Sequence, residues 1–127
     1  GDNATTVAAG DIPTETKLLL AATEQSLFEA ISHARAGRRL ADLCGAVEDF
    51  VAPRGFTVVR EFVGHGVGRR LHEEPQIPNY RPQGKTPVLA PGMTFTIEPM
   101  VNAVAFFFHE KIWAARSPVS APAALPA

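Results

Sequence analysis

The chain has a single cysteine, Cys44, a net charge of only −1 at neutral pH, and no apolar run near the length of a membrane span. Each shortage excludes something. One cysteine cannot close an internal disulfide and suits a reducing compartment, so the cytoplasm is the expected location. Without about 20 consecutive apolar residues no helix spans a bilayer, and no apolar stretch follows a charged N-terminus as in a signal peptide. With 12 basic and 13 acidic side chains there is no basic footprint for a phosphate backbone, so neither nucleic acid nor a membrane is an expected partner. The glycine run Gly64-His65-Gly66-Val67-Gly68-Arg69 lacks both the G-x-G-x-x-G spacing and the lysine and hydroxyl residue of a phosphate loop. No internal repeat stands out.

What is present suffices for one domain. At 127 residues the chain can bury on the order of 65–70% of its unfolded surface. It starts with glycine rather than methionine, so a longer parent protein is expected. Gly1 to Ala8 mixes β-branched residues with Asp2 and reads as the end of a strand. Thr14 is a plausible N-cap with Glu15 in the first turn, and Leu19, Leu20, Leu27, Ala30 and Ile31 give the stripe of an amphipathic helix ending near Gly37 and covering a sheet. Leu43, Ala46, Val47, Phe50 and Val51 give a second helix, Asp42 to Ala52, stopped by Pro53-Arg54-Gly55. Phe56 to Val63 has strand composition, Pro75 to Pro91 carries too many prolines for a long helix, and Thr94 to Ile97 reads as a strand leading to Glu98.

Three groups stand out for their chemistry. His65 lies between Gly64 and Gly66, and flanking glycines permit positive φ and close approach to a ligand. Glu98 sits between Ile97 and Pro99 in an apolar run, where a buried charge needs a partner. His72 follows His65 by seven residues. Imidazole with carboxylate suits zinc, manganese, iron or cobalt, and a carboxylate beside a metal can also move protons. Plainer readings compete. A histidine in a glycine loop is often only a hydrogen-bonded turn residue, and Glu73 and Glu74 read as a solvated acidic pair beside Arg69 and Arg70. His33 reads as a polar helix residue, and Cys44 as a small buried hydrophobe rather than a nucleophile.

The run GHGVG-x-x-x-HEEP-x-IPNY from Gly64 to Tyr80, with TFTIEPMVNA from Thr94 to Ala103, resembles the C-terminal half of type I methionine aminopeptidases, dinuclear metallopeptidases of the pita-bread fold. Proline-specific peptidases of that fold usually lack HEEP, which favours the methionine branch. The resemblance extends from Gly1 to about Ala103. It implies an α+β fold, a partial pita-bread with a mainly antiparallel curved sheet covered by two helices, and removal of the N-terminal methionine from newly made proteins. It further implies that Asp2, His65 and Glu98 ligate divalent metal, cobalt, manganese, iron or zinc. Glu98 would also shuttle a proton from water to the leaving amine, and His72 would stabilise the tetrahedral intermediate. Phe62, Leu71 and Met100, beside the motifs, are candidates for the methionine pocket, with core packing as the alternative. The implied partner is the N-terminal peptide of nascent proteins, with the intact protein associated with the ribosome.

The departures matter as much. The family uses five protein ligands to hold two ions, and here an earlier aspartate would precede Gly1 while the last glutamate has no counterpart. Glu110 follows His109 instead of preceding a histidine, and Trp113 has unmatched surroundings. The chain is therefore expected to hold at most one, weakened, ion and to be an incomplete, weak or inactive piece. Residues 1–103 would form the partial catalytic domain, and 104–127, rich in alanine, proline and serine at the end, a disordered tail. Two other classes stay open: a non-catalytic module binding peptides or a partner protein, and a broken or frame-shifted product.

Overall fold

A computed structural model describes residues 3–103. The expectations placed on Asp2 and on residues 104–127 lie outside that range. Helix α1 spans Thr14–His33 and α2 spans Leu40–Val51; a 3-10 turn, Ala52–Arg54, then precedes strands β1 Phe56–Val58, β2 Gly64–Gly66, β3 Glu73–Ile77 and β4 Val101–Ala103. The α+β class and the antiparallel pairing agree with the sequence reading. The strands form two separate antiparallel pairs, β1 with β4 and β2 with β3.

Helix α2 is the centre of the packing. Leu40, Leu43, Cys44 and Val47 meet Ala30 of α1, Ile77 at the end of β3 and Leu89, and Val58, Phe95 and Ile97 close over them. A second cluster joins Ala22 and Val51 to Phe56 and Ala103 of the β1/β4 pair. Thus α1 packs chiefly against α2 rather than across a sheet. The reason is steric: Ala22, Ser26 and Ala30 recur every fourth residue on one face, and such small side chains let two helices approach closely. Of the anticipated stripe, Ile31 is exposed and Leu19, Leu20 and Leu27 are only half-buried.

Several boundaries differ from those read in the sequence. Pro13, which has no side-chain acceptor, occupies the N-cap of α1, so Thr14 is its first helical residue and caps nothing. The helix ends at His33 because the following segment is drawn into extended pairing: Gly37 N donates to Leu89 O at 2.8 Å and Leu89 N to Arg38 O at 2.8 Å. Gly37, with φ of 87°, makes that turn. Finally, β1 stops at Val58 and does not run into the His65 segment. The proline-rich connection after β3 is pinned on α2 by Arg81, whose guanidinium donates to Asp49 at 2.8 Å and Asp42 at 3.3 Å. Gly45 leaves room for it; a Cβ there would lie 2.7 Å from the guanidinium.

Cys44 is the small buried hydrophobe that the sequence suggested, fully excluded from solvent. Burial pushes its thiol up to about 12. In the unfolded chain the thiol ionises near its ordinary value of about 8.5, so above that value the unfolded state binds fewer protons than the folded state. Stability from this group is complete below that range and declines as pH rises towards 12. Urea midpoints measured across the alkaline range should fall more steeply for the parent than for Cys44→Ala, and a thiol reagent should label the parent only after unfolding. Rapid labelling of the native chain would contradict the buried placement.

Candidate metal centre

His65 is delivered by a strand, not by a glycine loop. In β2 it pairs with Gln76 of β3, and a register shift between His65 and Gly66 places Gly66 opposite Glu73. Gly64, Gly66 and Gly68 have no positive φ, contrary to the expectation for a permissive loop. Their value lies in close approach to protein backbone. A Cβ on Gly66 would come within 2.8 Å of the Glu74 carbonyl carbon and 3.0 Å of Glu73 O, and one on Gly64 within 3.1 Å of the Thr96 carbonyl carbon. Side chains at these positions would force the neighbouring segments off β2.

On its other edge β2 meets the segment that carries Glu98. Val67 N donates to Thr94 O at 2.9 Å and Thr96 N to His65 O at 2.8 Å, around a bridge between Gly66 and Phe95. The strand expected over Thr94 to Ile97 is reduced to this single bridge, and Thr96 is the reason. In a regular antiparallel ladder the His65–Thr96 pair would exchange two backbone hydrogen bonds. Here the His65 N–H goes instead to Thr96 Oγ1, at 2.9 Å, and the ladder breaks.

The break brings the site together. Thr96 Oγ1 donates to Glu98 Oε1 at 2.7 Å, and that oxygen stands 3.4 Å from His65 Nε2. The other imidazole nitrogen, Nδ1, lies 3.0 Å from the Gly66 carbonyl oxygen, which can only accept. The Glu98 carboxylate too can only accept, so the shorter contact, Nδ1 to the Gly66 carbonyl, takes the proton of the neutral ring and leaves the Nε2 lone pair towards Glu98. A separation of 3.4 Å is long for a charge-assisted hydrogen bond, which closes to about 2.7–2.9 Å. Two donors each about 2.1 Å from a shared tetrahedral ion stand roughly 3.4 Å apart. The donor chemistry and the spacing both fit a divalent cation. Among the described residues no group of three or more histidine, cysteine, aspartate or glutamate side chains converges on one point, so the described part of the site offers two ligands.

His72 lies against His65, its ring centroid 4.0 Å from that of His65 at an interplanar angle of 42°. It is exposed, whereas His65 is 7% accessible. The Glu98 side chain is 42% exposed rather than buried. Phe62, Leu71 and Met100 are 59%, 58% and 42% exposed, which excludes the core-packing alternative for all three. Two cavities, of about 450 and 500 Å³, lie away from this site: one between α1 and α2 around Arg81, the other beside Leu89 and Phe95. Glu73 is not the solvated partner of arginine side chains; its Oε1 accepts the Arg70 N–H at 2.8 Å and closes the turn before β3.

Two contributors went unassigned in the sequence, Thr96 and Asn79. Asn79 is 1% exposed, and its Nδ2 donates to Glu98 O at 2.8 Å and to Phe62 O at 3.4 Å. Both are polar residues within the IPNY and TFTIEPM runs, and that was the available signal. Asn79→Ala should cost about 1–3 kcal/mol in urea unfolding, because the Glu98 carbonyl loses its donor; an unchanged midpoint would mean that the hydrogen bond is dispensable.

A sequence profile of Metallopeptidase family M24 matches residues 1–117. The chain is 50% identical to methionine aminopeptidase 1 of Bacillus subtilis over 103 residues, 81% of this chain and 42% of the relative. It is 51% identical to the methionine aminopeptidase of Escherichia coli over 81 residues, 64% of this chain and 31% of that one. Among solved structures it is similar to methionine aminopeptidase from Thermotoga maritima, with a TM-score of 0.73 and 45% identity over 76% of this chain and 39% of the other. A prolidase from Pyrococcus furiosus follows at a TM-score of 0.62 and 25% identity, over 75% of this chain and 27% of that one. The chain thus spans well under half the length of these relatives.

Proposed function

Since the chain belongs to Metallopeptidase family M24, we propose that it carries part of a metal-dependent aminopeptidase site that removes the N-terminal methionine from newly made proteins. The carrying observation is the pair of facing acceptors, His65 Nε2 and Glu98 Oε1, 3.4 Å apart. With Asp2 they are the proposed ligands of one divalent ion, manganese, cobalt, iron or zinc. When bound, such an ion would make water more acidic and polarise the scissile carbonyl. His65 only ligates, because its Nδ1 proton is held by the Gly66 carbonyl. Glu98 takes a proton and returns it to the leaving amine. His72, exposed above His65, donates to the scissile amide and stabilises charge developing on its oxygen. Phe62, Leu71 and Met100 offer apolar surface to the methionine side chain. The partner is the N-terminal peptide of a nascent chain, met at the ribosome in the cytoplasm.

Calorimetric titration of the 127-residue chain with manganese(II) tests this reading. One weak site is expected, since three of the family's five ligands are matched. Two tight sites would overturn the ligand assignment, and absence of any binding would overturn the metal reading itself.

A further inference from the structure

We infer that Thr96 is a positioning residue that sets the Glu98 carboxylate against His65, an inference that rests on the metal-binding reading of that pair. A single hydroxyl makes two contacts, accepting the His65 N–H at 2.9 Å and donating to Glu98 Oε1 at 2.7 Å. A hydroxyl has one proton to give. Among the described residues the His65 carbonyl is the only other acceptor in reach, at 3.4 Å, and it is already served by the Thr96 N–H at 2.8 Å, so the proton goes to the carboxylate. Glu98 Oε1 is also the oxygen facing His65 Nε2, so the hydroxyl fixes the very atom that would ligate. The backbone beneath is held separately, by Asn79 on the Glu98 carbonyl. Thr96 thus ties the two ligands together from opposite segments, as an outer hydrogen-bond donor orients a metal-ligating carboxylate.

Valine keeps the branched shape of threonine without the hydroxyl, and with it gone the His65 N–H is free to take the ordinary ladder bond to the residue 96 carbonyl. A structural role and a positioning role therefore separate. Manganese(II) affinity and the visible spectrum of the cobalt(II)-loaded chain are measured for the parent, Thr96→Val and Thr96→Ser, with far-ultraviolet circular dichroism as the check on folding. Expected are a roughly tenfold or greater loss of manganese affinity and an altered cobalt spectrum in Thr96→Val at unchanged circular dichroism, with Thr96→Ser within about threefold of the parent. Parent-like affinity in Thr96→Val overturns the inference alone, as does failure of Thr96→Ser to retain it. Loss of fold in Thr96→Val assigns Thr96 a structural role and overturns it too. No metal binding by the parent overturns the metal reading and this inference with it.

Discussion

Replacing Gly66 with alanine is expected to destabilise the chain by about 3 kcal/mol, at the upper end of the usual cost of forcing extra atoms into a packed interior. The added Cβ would lie 2.8 Å from the Glu74 carbonyl carbon and 3.0 Å from Glu73 O. Both atoms belong to the backbone of β3, paired to β2 through the register shift at His65 and Gly66. No rotamer change relieves such a contact, so the two strands must separate. Gly68→Ala is the natural control. There the Cβ would meet the carboxylate of Glu73, the far end of a flexible side chain. Urea unfolding should find the control within about 1 kcal/mol of the parent. If Gly66→Ala unfolds at the parent's midpoint, the close approach of β2 and β3 is wrong, and the placement of His65 with it.

The second large effect concerns the proposed ligand pair. His65→Ala should weaken manganese(II) binding more than about 100-fold, a larger loss than removal of an outer hydrogen-bond partner brings. His72→Ala should leave it within about threefold. The two imidazoles lie 4.0 Å apart and would be difficult to rank from proximity alone. Orientation separates them. His65 Nδ1–H donates to Gly66 O, which turns Nε2 towards Glu98, whereas His72 is exposed and lies against the His65 ring. In a homologue of full length, His72→Ala should lower turnover with metal content unchanged. Metal lost from His72→Ala, or retained by His65→Ala, would exchange the two roles.

Much of the fold follows from local pattern. The apolar spacing in Leu43, Ala46, Val47 and Val51 marked α2 to within two residues at its start and one at its end, because the same side chains that define the periodicity fill the core. The stripe of α1 misled for the opposite reason. Its leucines and Ile31 suggested the buried face, but of that stripe only Ala30 is fully buried, with Leu19 at the edge of the second cluster; contact with α2 selects Ala22, Ser26 and Ala30, where the helix axes can come close. The strand before Glu98 failed at Thr96, a good strand residue by propensity whose hydroxyl competes with the backbone for the His65 N–H. Nothing in composition announces that competition, since it depends on a donor 31 residues away.

The chemistry was therefore written in the residues: an imidazole among glycines, a second imidazole seven positions on, and a carboxylate in an apolar run, within motifs long enough to point to one family. Tertiary structure alone decided what the glycines do. They admit the backbones of Glu73, Glu74 and Thr96 against β2 instead of providing positive φ. It also decided which nitrogen of His65 faces Glu98 and which hydroxyl holds that carboxylate. Residue type states what a group can bind, whereas direction and distance are set by segments distant in sequence that meet only when the chain folds.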